Sequence, residues 1–134
     1  MWGKFCRVAV AALLLTAATE SAYAAEAGPA AALPRCSQAK SYHQATVPAS
    51  PFGVDCLLTV GSQGPGVVAL QRSLRRCYGS TIADDGIFGR RTQDALRYAQ
   101  RQAGTEPDGV YGPNTRRAIK HHPDQWHIRC KRVP

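Results

Sequence analysis

The sequence lacks a hydrophobic run long enough to cross a bilayer. Its most apolar stretch, residues 8–18, has eleven residues, whereas a membrane-spanning helix needs about 20. The stretch follows Lys4 and Arg7 and precedes a small-residue triplet, Ala-Tyr-Ala, at residues 22–24. This order is typical of a secretory signal peptide. We therefore expect residues 1–24 to be removed and the protein to be secreted, extracellular or in the cell wall, without a membrane anchor.

Signature motifs of catalysis are also absent. A catalytic zinc site needs three ligands and a positioned base, yet no H-E-x-x-H sequence occurs and the adjacent His121 and His122 would point in different directions. We interpret these two histidines as cations favoured by the C-terminal end of a helix dipole. No Ser-His-Asp pattern can be placed. The sequence thus predicts no enzyme activity, no metal and no cofactor.

Acidic residues are scarce. The chain has 9 Asp and Glu against 17 Lys and Arg, which gives a formal net charge of +8. Such a balance attracts polyanions in a salt-dependent way. The arginines are interleaved with few aromatics and export separates the protein from most nucleic acid, so a nucleic-acid partner is not predicted.

Closely spaced cysteine pairs, which a zinc site would need, are missing as well. Beyond the expected signal peptide lie four cysteines, Cys36, Cys56, Cys77 and Cys130. An even number in an exported chain predicts two disulfides, with three possible connectivities. We prefer the nested pairing, Cys36 with Cys130 and Cys56 with Cys77, because the first two lie near the chain ends and the other two flank one segment.

Three helices are predicted from their end signals. The first starts at Gly64-Pro65, the second runs over residues 90–103 and stops at Gly104, and the third starts at Pro113 and ends by Pro123. Proline and glycine break any periodicity between residues 35 and 55, where we expect short strands or loops. The predicted fold class is all-α, a small three-helix bundle built on an internal repeat, with disulfide-strapped irregular N- and C-terminal arms. Its predicted segments are a signal peptide (1–24), a flexible linker (25–35), an N-terminal arm (36–59), a binding domain (60–122) and a C-terminal tail (123–134).

The most informative feature is a repeat. Residues 85–92, Asp-Gly-Ile-Phe-Gly-Arg-Arg-Thr, recur 23 residues later as residues 108–115, Asp-Gly-Val-Tyr-Gly-Pro-Asn-Thr. This spacing indicates a duplicated unit of turn, aromatic anchor and helix start. A general acid–base pair of Asp85 and Asp108 would need a shared cleft, of which the sequence gives no sign. We predict turn, core or cap roles for Asp85, Gly86, Phe88, Gly89, Thr92, Asp108, Gly109, Gly112 and Thr115.

These residues resemble the three-helix peptidoglycan-binding domain, a family found appended to secreted amidases, peptidases and lytic enzymes of bacterial cell walls. The family pattern is a glycine-led first helix containing Leu-Gln, followed by two Asp-Gly-x-aromatic-Gly-x-x-Thr units. Here these are residues 66–74, 85–92 and 108–115. The resemblance covers about residues 60–121. Where the family usually has an aromatic before glutamine late in the second helix, this chain has Ala99-Gln100.

The resemblance implies secreted, non-catalytic binding of bacterial cell-wall peptidoglycan, by a stand-alone wall-binding or targeting module. The bound part is glycan or stem peptide, and anionic wall polymers are further candidate partners. The predicted contacts lie at the start of the third helix, where unpaired N–H groups suit a carboxylate, and on nearby basic or aromatic positions. The candidate ligand-binding residues are Arg97, Tyr98, Arg101, Tyr111 and Asn114.

Two other interpretations stay open. One is a small cell-wall hydrolase, an amidase or peptidase, whose active site the motifs do not reveal. The other is an extracellular interaction or inhibitor protein on the same scaffold. Trp126 is expected to anchor the tail or the core beside Cys130, with a sugar-stacking platform as the alternative.

Overall fold

The computed structural model describes residues 32–134. The elements, in chain order, are β1 (Gln38–Tyr42), β2 (Ala45–Ala49), α1 (Pro65–Tyr78), α2 (Arg90–Ala103) and α3 (Pro113–Ala118). The expected signal peptide and most of the expected linker lie outside the described residues. Within residues 32–134, no helix has the length and apolar character that a membrane span requires.

The two strands form an antiparallel hairpin, so the all-α fold class is wrong. Lys40 lies opposite Val47, and β1 is mostly exposed whereas β2 is mostly buried. The hairpin turn consists of His43 and Gln44, with φ of 49° and 63°. Turns of this kind usually contain Asn or Gly, and proline inside a strand, here Pro48, normally argues against one. His43, Gln44 and Pro48 therefore make the hairpin difficult to predict from the sequence pattern.

The helices follow their predicted end signals. α1 begins at Pro65, α3 begins at Pro113, and α2 has the predicted bounds of residues 90–103. α1 and α2 end at Gly79 and Gly104, which adopt left-handed conformations and donate their backbone N–H groups to carbonyls of the preceding turn. The positions of the three helices are therefore confirmed.

The main core lies between the helices and the segment that precedes α1. Phe88 and Tyr111, the aromatic residues of the two repeat units, are both buried in it. Burial of one such side chain contributes about 2–3 kcal/mol to stability. The other buried members are Cys36, Cys56, Leu58, Val67, Leu70, Leu74, Leu96, Ala99 and Ile119. A second, smaller cluster of Ala45, Val47 and Val133 lies beneath the hairpin.

Two disulfides are present, and they join Cys36 to Cys56 and Cys77 to Cys130. The nested pairing is therefore wrong. The backbone N–H of Cys36 donates to the carbonyl of Leu57 at 3.0 Å, which brings the first pair together locally. Cys77 lies in the last turn of α1, so its bond to Cys130 attaches the C-terminal tail to that helix. Each disulfide thus fixes one arm, instead of one disulfide joining both.

Candidate functional site

The first Asp-Gly turn is held by Gln71, a buried side chain of α1. Its Nε2 donates to Oδ1 of Asp85 at 3.0 Å, to the carbonyl of Ile87 at 3.1 Å and to Oγ1 of Thr92 at 3.1 Å. Its Oε1 accepts from the backbone N–H of Gly86 at 2.9 Å. One amide group therefore joins the helix, the turn and the start of α2.

The second turn repeats this arrangement around Gln100 of α2. Nε2 of Gln100 donates to Oδ1 of Asp108 at 2.7 Å, to the carbonyl of Val110 at 3.1 Å and to Oγ1 of Thr115 at 3.0 Å. Its Oε1 accepts from the N–H of Gly109 at 2.9 Å. The duplication seen in the sequence thus continues into the hydrogen bonds.

These networks engage both turn carboxylates. Oδ1 of Asp85 accepts from the N–H of Ile87 at 2.9 Å as well as from Gln71, and these two bonds, in that order, lower the pKa of Asp85. Asp108 accepts in the same way from the N–H of Val110 at 2.9 Å. Each aspartate belongs to its own network, and no hydrogen bond among the described residues joins the two. The geometry is that of two turn constraints.

Gln71 of α1 and Gln100 of α2 are equivalent positions in the two networks, and the sequence analysis did not identify this equivalence. Gln71 lies 14 residues before its aspartate partner and Gln100 lies 8 residues before its own, so an alignment on the Asp-Gly blocks separates them. The available signal was the dipeptide Gln-Arg, which occurs at residues 71–72 and again at 100–101. In this register Arg72 corresponds to Arg101.

A groove of about 470 Å³ lies beside the first turn, between the hairpin and the N-terminal half of α1. Gly86 lets the first turn lie close against α1. A Cβ built at this residue would lie 3.1 Å from Cγ2 of Val68, and its φ is 75°. We call this cavity the turn groove. It is lined by Ala39, Thr46, Gln63, Gly64, Pro65, Val68, Ala69, Arg72, Asp85, Gly86 and Ile87.

A second cavity of about 460 Å³, the arginine groove, adjoins the first. It is lined by Arg72, Arg75, Arg76, Ser80, Asp84 and His122. Asp84 pairs with both Arg72 (3.2 Å) and Arg75 (2.7 Å), and the hydrogen bond from Arg72 is the main cause that lowers the pKa of Asp84. Burial, followed by Arg76 and Arg72, lowers the pKa of His122, so this histidine is neutral near pH 7. The groove therefore has three guanidinium groups against one carboxylate.

The predicted ligand contacts are only partly brought together. Arg97, Tyr98 and Arg101 lie on α2, where Tyr98 is 46% exposed. The side chain of Arg97 lies over the second turn, because a Cβ built at Gly109 would be 3.0 Å from Nε of Arg97. Asn114 is exposed in the first turn of α3, whereas Tyr111 is fully buried. Tyr111 thus has no surface to offer a ligand.

Tyr111 instead pairs with His121 in the core. The hydroxyl oxygen of Tyr111 is 3.1 Å from Nε2 of His121. Burial, assisted by Arg116, lowers the pKa of His121 to about 4. The interpretation of His121 as a helix-end cation is therefore wrong, because burial keeps it neutral. Residues 32–134 contain no group of three or more His, Cys, Asp or Glu side chains able to hold a metal ion.

Trp126 is not a core anchor. Its side chain is 83% exposed on the tail, and its backbone carbonyl accepts a hydrogen bond from Nη2 of Arg76. Phe52, in the turn after β2, is also exposed. Neither aromatic ring lines the turn groove or the arginine groove.

Comparison with known proteins relates part of the chain to a family. Residues 63–119 match the family model described as "Putative peptidoglycan binding domain". The match spans the three helices and both turns, and it supports membership of this segment in a family of peptidoglycan-binding domains. Among solved structures, "The crystal structure of SleB N-terminal domain" is 34% identical, with 46% of this chain and 84% of that chain covered and a TM-score of 0.44. No curated protein matches the chain.

Proposed function

We propose that this protein binds bacterial cell-wall peptidoglycan and has no catalytic centre of its own, as a stand-alone wall-binding or targeting module. The observation that carries the proposal is the family match over residues 63–119. The same segment contains both glutamine-centred networks, so the residues that define the repeat serve as scaffold. The two disulfides are compatible with a secreted, extracellular or cell-wall location.

The states of Asp84 and Asp85 argue against either of them as the general acid of a hydrolase. A general acid must hold a proton near its working pH, yet the pKa of Asp85 is lowered by backbone and amide donors and that of Asp84 by arginine. Both carboxylates are therefore ionised at neutral pH and engaged in contacts. His121 is neutral and buried, where substrate cannot reach it.

The proposed binding surface follows the two repeat units. On the first it includes the turn groove. On the second it includes Arg97, Arg101 and Asn114 around the second turn, together with Tyr98, which lines a separate cavity between α1, α2 and the tail. Without the expected signal peptide, which contains Lys4, Arg7 and Glu20, the chain has 15 basic and 8 acidic residues, and this net charge of +7 favours association with the carboxylates of peptidoglycan and with anionic wall polymers.

Sedimentation with purified insoluble peptidoglycan tests the function. We expect the protein to enter the pellet while the turbidity of the suspension stays constant. Clearing of the suspension would show a hydrolase, and a protein that stays in the supernatant would favour the interaction or inhibitor alternative.

Paired variants test the second-repeat surface. The double variant Arg97→Gln/Arg101→Gln should lower the bound fraction, because it removes two positive charges beside the second turn. The control Lys40→Gln/Arg129→Gln removes two exposed charges, one on β1 and one on the tail, and should bind like the wild type. Equal losses in both variants would mean that net charge alone, and not this surface, determines binding.

A further inference from the structure

We propose that the turn groove and the arginine groove form one site for the stem peptide of peptidoglycan. The peptide would lie along the turn groove, and its free terminal carboxylate would bind Arg72 and Arg75. This inference rests on the proposed function and adds to it which part of the polymer is recognised.

The two grooves share a wall residue, Arg72. The neighbouring residues Asp84 and Asp85 line the arginine groove and the turn groove, respectively. Their volumes, about 470 and 460 Å³, are each in the range of small-ligand sites. A ligand in the turn groove therefore lies beside Arg72, from which Arg75 is one helical turn away on α1.

The lining of the turn groove suits a peptide better than a glycan. Its apolar walls consist of small or aliphatic side chains, among them Ala39, Val68 and Ile87, and none of its lining residues is aromatic. Sugar rings are usually held by stacking on aromatic rings, whereas small aliphatic walls accommodate alanine-like side chains. The exposed side chain of Gln63 adds a donor and an acceptor for a peptide backbone.

The arginine groove suits the carboxylate. Arg72 reaches Asp84 through Nε and Arg75 reaches it through Nη1. A guanidinium has five N–H donors in a planar fork that matches a carboxylate, so both arginines keep further donors for a ligand. The arginine side chains are 57% and 49% exposed, which leaves them accessible.

Asp84 has a particular place in this proposal. Because its carboxylate occupies the same two arginines that the ligand would use, it competes with the ligand. Replacement by asparagine removes the competing charge while it keeps the shape of the side chain. A role of Asp84 in ligand binding itself would predict the opposite effect of that replacement.

The test is a calorimetric titration at low ionic strength with three soluble probes. These are a synthetic stem peptide with a free C-terminal carboxylate, the same peptide amidated at that carboxyl group, and an N-acetylglucosamine oligomer. We expect the free peptide to bind, the amidated peptide to bind about 10-fold more weakly, and the oligomer not to bind. The corresponding energy for the single carboxylate is about 1.4 kcal/mol.

Variants make the assignment specific. Arg75→Gln should weaken binding of the free peptide about 10-fold and leave binding of the amidated peptide unchanged. Asp84→Asn should strengthen binding of the free peptide several-fold. Arg117→Gln, an exposed charge change on α3, should leave both affinities unchanged. Far-ultraviolet circular dichroism of each variant checks that it is folded.

Several results would overturn the inference. These are equal affinity for the free and amidated peptides, tight binding of the oligomer, or weaker binding by Asp84→Asn. If the protein sediments with insoluble peptidoglycan but binds no stem peptide, this inference fails and the proposed function stands. If it does neither, both fail.

Discussion

The hydroxyl oxygen of Tyr111 lies 3.1 Å from Nε2 of His121, and neither side chain has any exposed surface. Burial raises the pKa of Tyr111 and lowers that of His121 to about 4, the latter with a contribution from Arg116. The pair is therefore neutral at pH 7. Nδ1 of His121 has no hydrogen-bond partner among the described residues, so a second proton on the ring, which would make it a cation, would be poorly accommodated.

This pair predicts a loss of stability in acid. Histidine has a pKa of about 6.5 in an unfolded chain and about 4 here, so between these values the unfolded state binds more protons. The free energy of unfolding should be highest above pH 6.5 and should fall by about 3 kcal/mol as the pH drops to 4. Urea denaturation between pH 7.5 and 4 measures the slope.

Two histidine variants test whether His121 causes this pH dependence of stability. His121→Gln should remove most of the slope and leave the part due to His122, whose pKa burial, Arg76 and Arg72 also lower, whereas His127→Gln, at an exposed position of the tail, should retain the wild-type slope. A wild-type protein with constant stability between pH 7 and 4.5 would contradict the neutral, buried state of His121.

The two glutamine networks predict a second effect on stability. Gln71→Leu and Gln100→Leu keep most of the side-chain volume but leave a buried glycine N–H and a threonine hydroxyl without their amide partner. The threonine hydroxyl still donates to the carbonyl of Ile87 or Val110, so the glycine N–H is the donor left unsatisfied. Because an unsatisfied buried group costs about 1–3 kcal/mol, we expect each variant to lose about 2 kcal/mol in urea denaturation. Gln102→Leu, at an exposed position of α2, is the control and should change stability by less than about 0.5 kcal/mol. Losses below 1 kcal/mol in both network variants would show that the turns hold without the amides.

The glutamines also show where sequence reasoning ended. The Asp-Gly repeat was visible because its two copies align without a gap, and it located the starts of α2 and α3 and both core aromatics. The amides that organise the repeat were not visible, because the chain between glutamine and aspartate differs in length between the units. Of the candidate site, the turn residues and Arg97, Tyr98 and Arg101 could be named from the sequence. The arginine groove could not, because Arg72 and Asp84 meet only through folding.

The pairing of the two strands and the connectivity of the two predicted disulfides were not predicted correctly, for tertiary reasons. β1 has little apolar alternation, and β2 is buried by α1 and the tail, which pattern reading cannot anticipate. Cysteine spacing gives a set of connectivities but not the choice among them. That choice depended on the short bridge between Arg35 and Leu57, which brings Cys36 beside Cys56.

The close contact of α1 with the N-terminal arm predicts a third effect on stability. A Cβ built at Gly66 would lie 2.4 Å from the carbonyl oxygen of Cys36, a backbone atom that cannot move alone. Gly66→Ala should therefore separate the helix from the arm and cost about 1–3 kcal/mol. The control is Gly89→Ala, where the added methyl group meets nothing within 4 Å. It should lose less than about 1 kcal/mol, since alanine is only a poorer N-cap than glycine. Thermal denaturation compares the two, and equal melting temperatures would contradict the close packing at Gly66.

The disulfides predict a difference between the two arms. In the chain-entropy description, the stabilisation of the folded state by a cross-link increases with the logarithm of the number of residues in the loop that it closes. The loops span 20 residues for Cys36–Cys56 and 53 residues for Cys77–Cys130. The double variant Cys36→Ser/Cys56→Ser should lose about 3 kcal/mol and Cys77→Ser/Cys130→Ser about 4 kcal/mol in urea denaturation. The second variant should also free the tail from α1, so amide exchange should accelerate after residue 122 and in β2, which the tail covers, with little change in α2. If mass spectrometry of a non-reducing digest showed Cys36 joined to Cys130, it would contradict the connectivity. If Cys36→Ser/Cys56→Ser lost more free energy of unfolding than the variant of the longer loop, this would contradict the entropic argument.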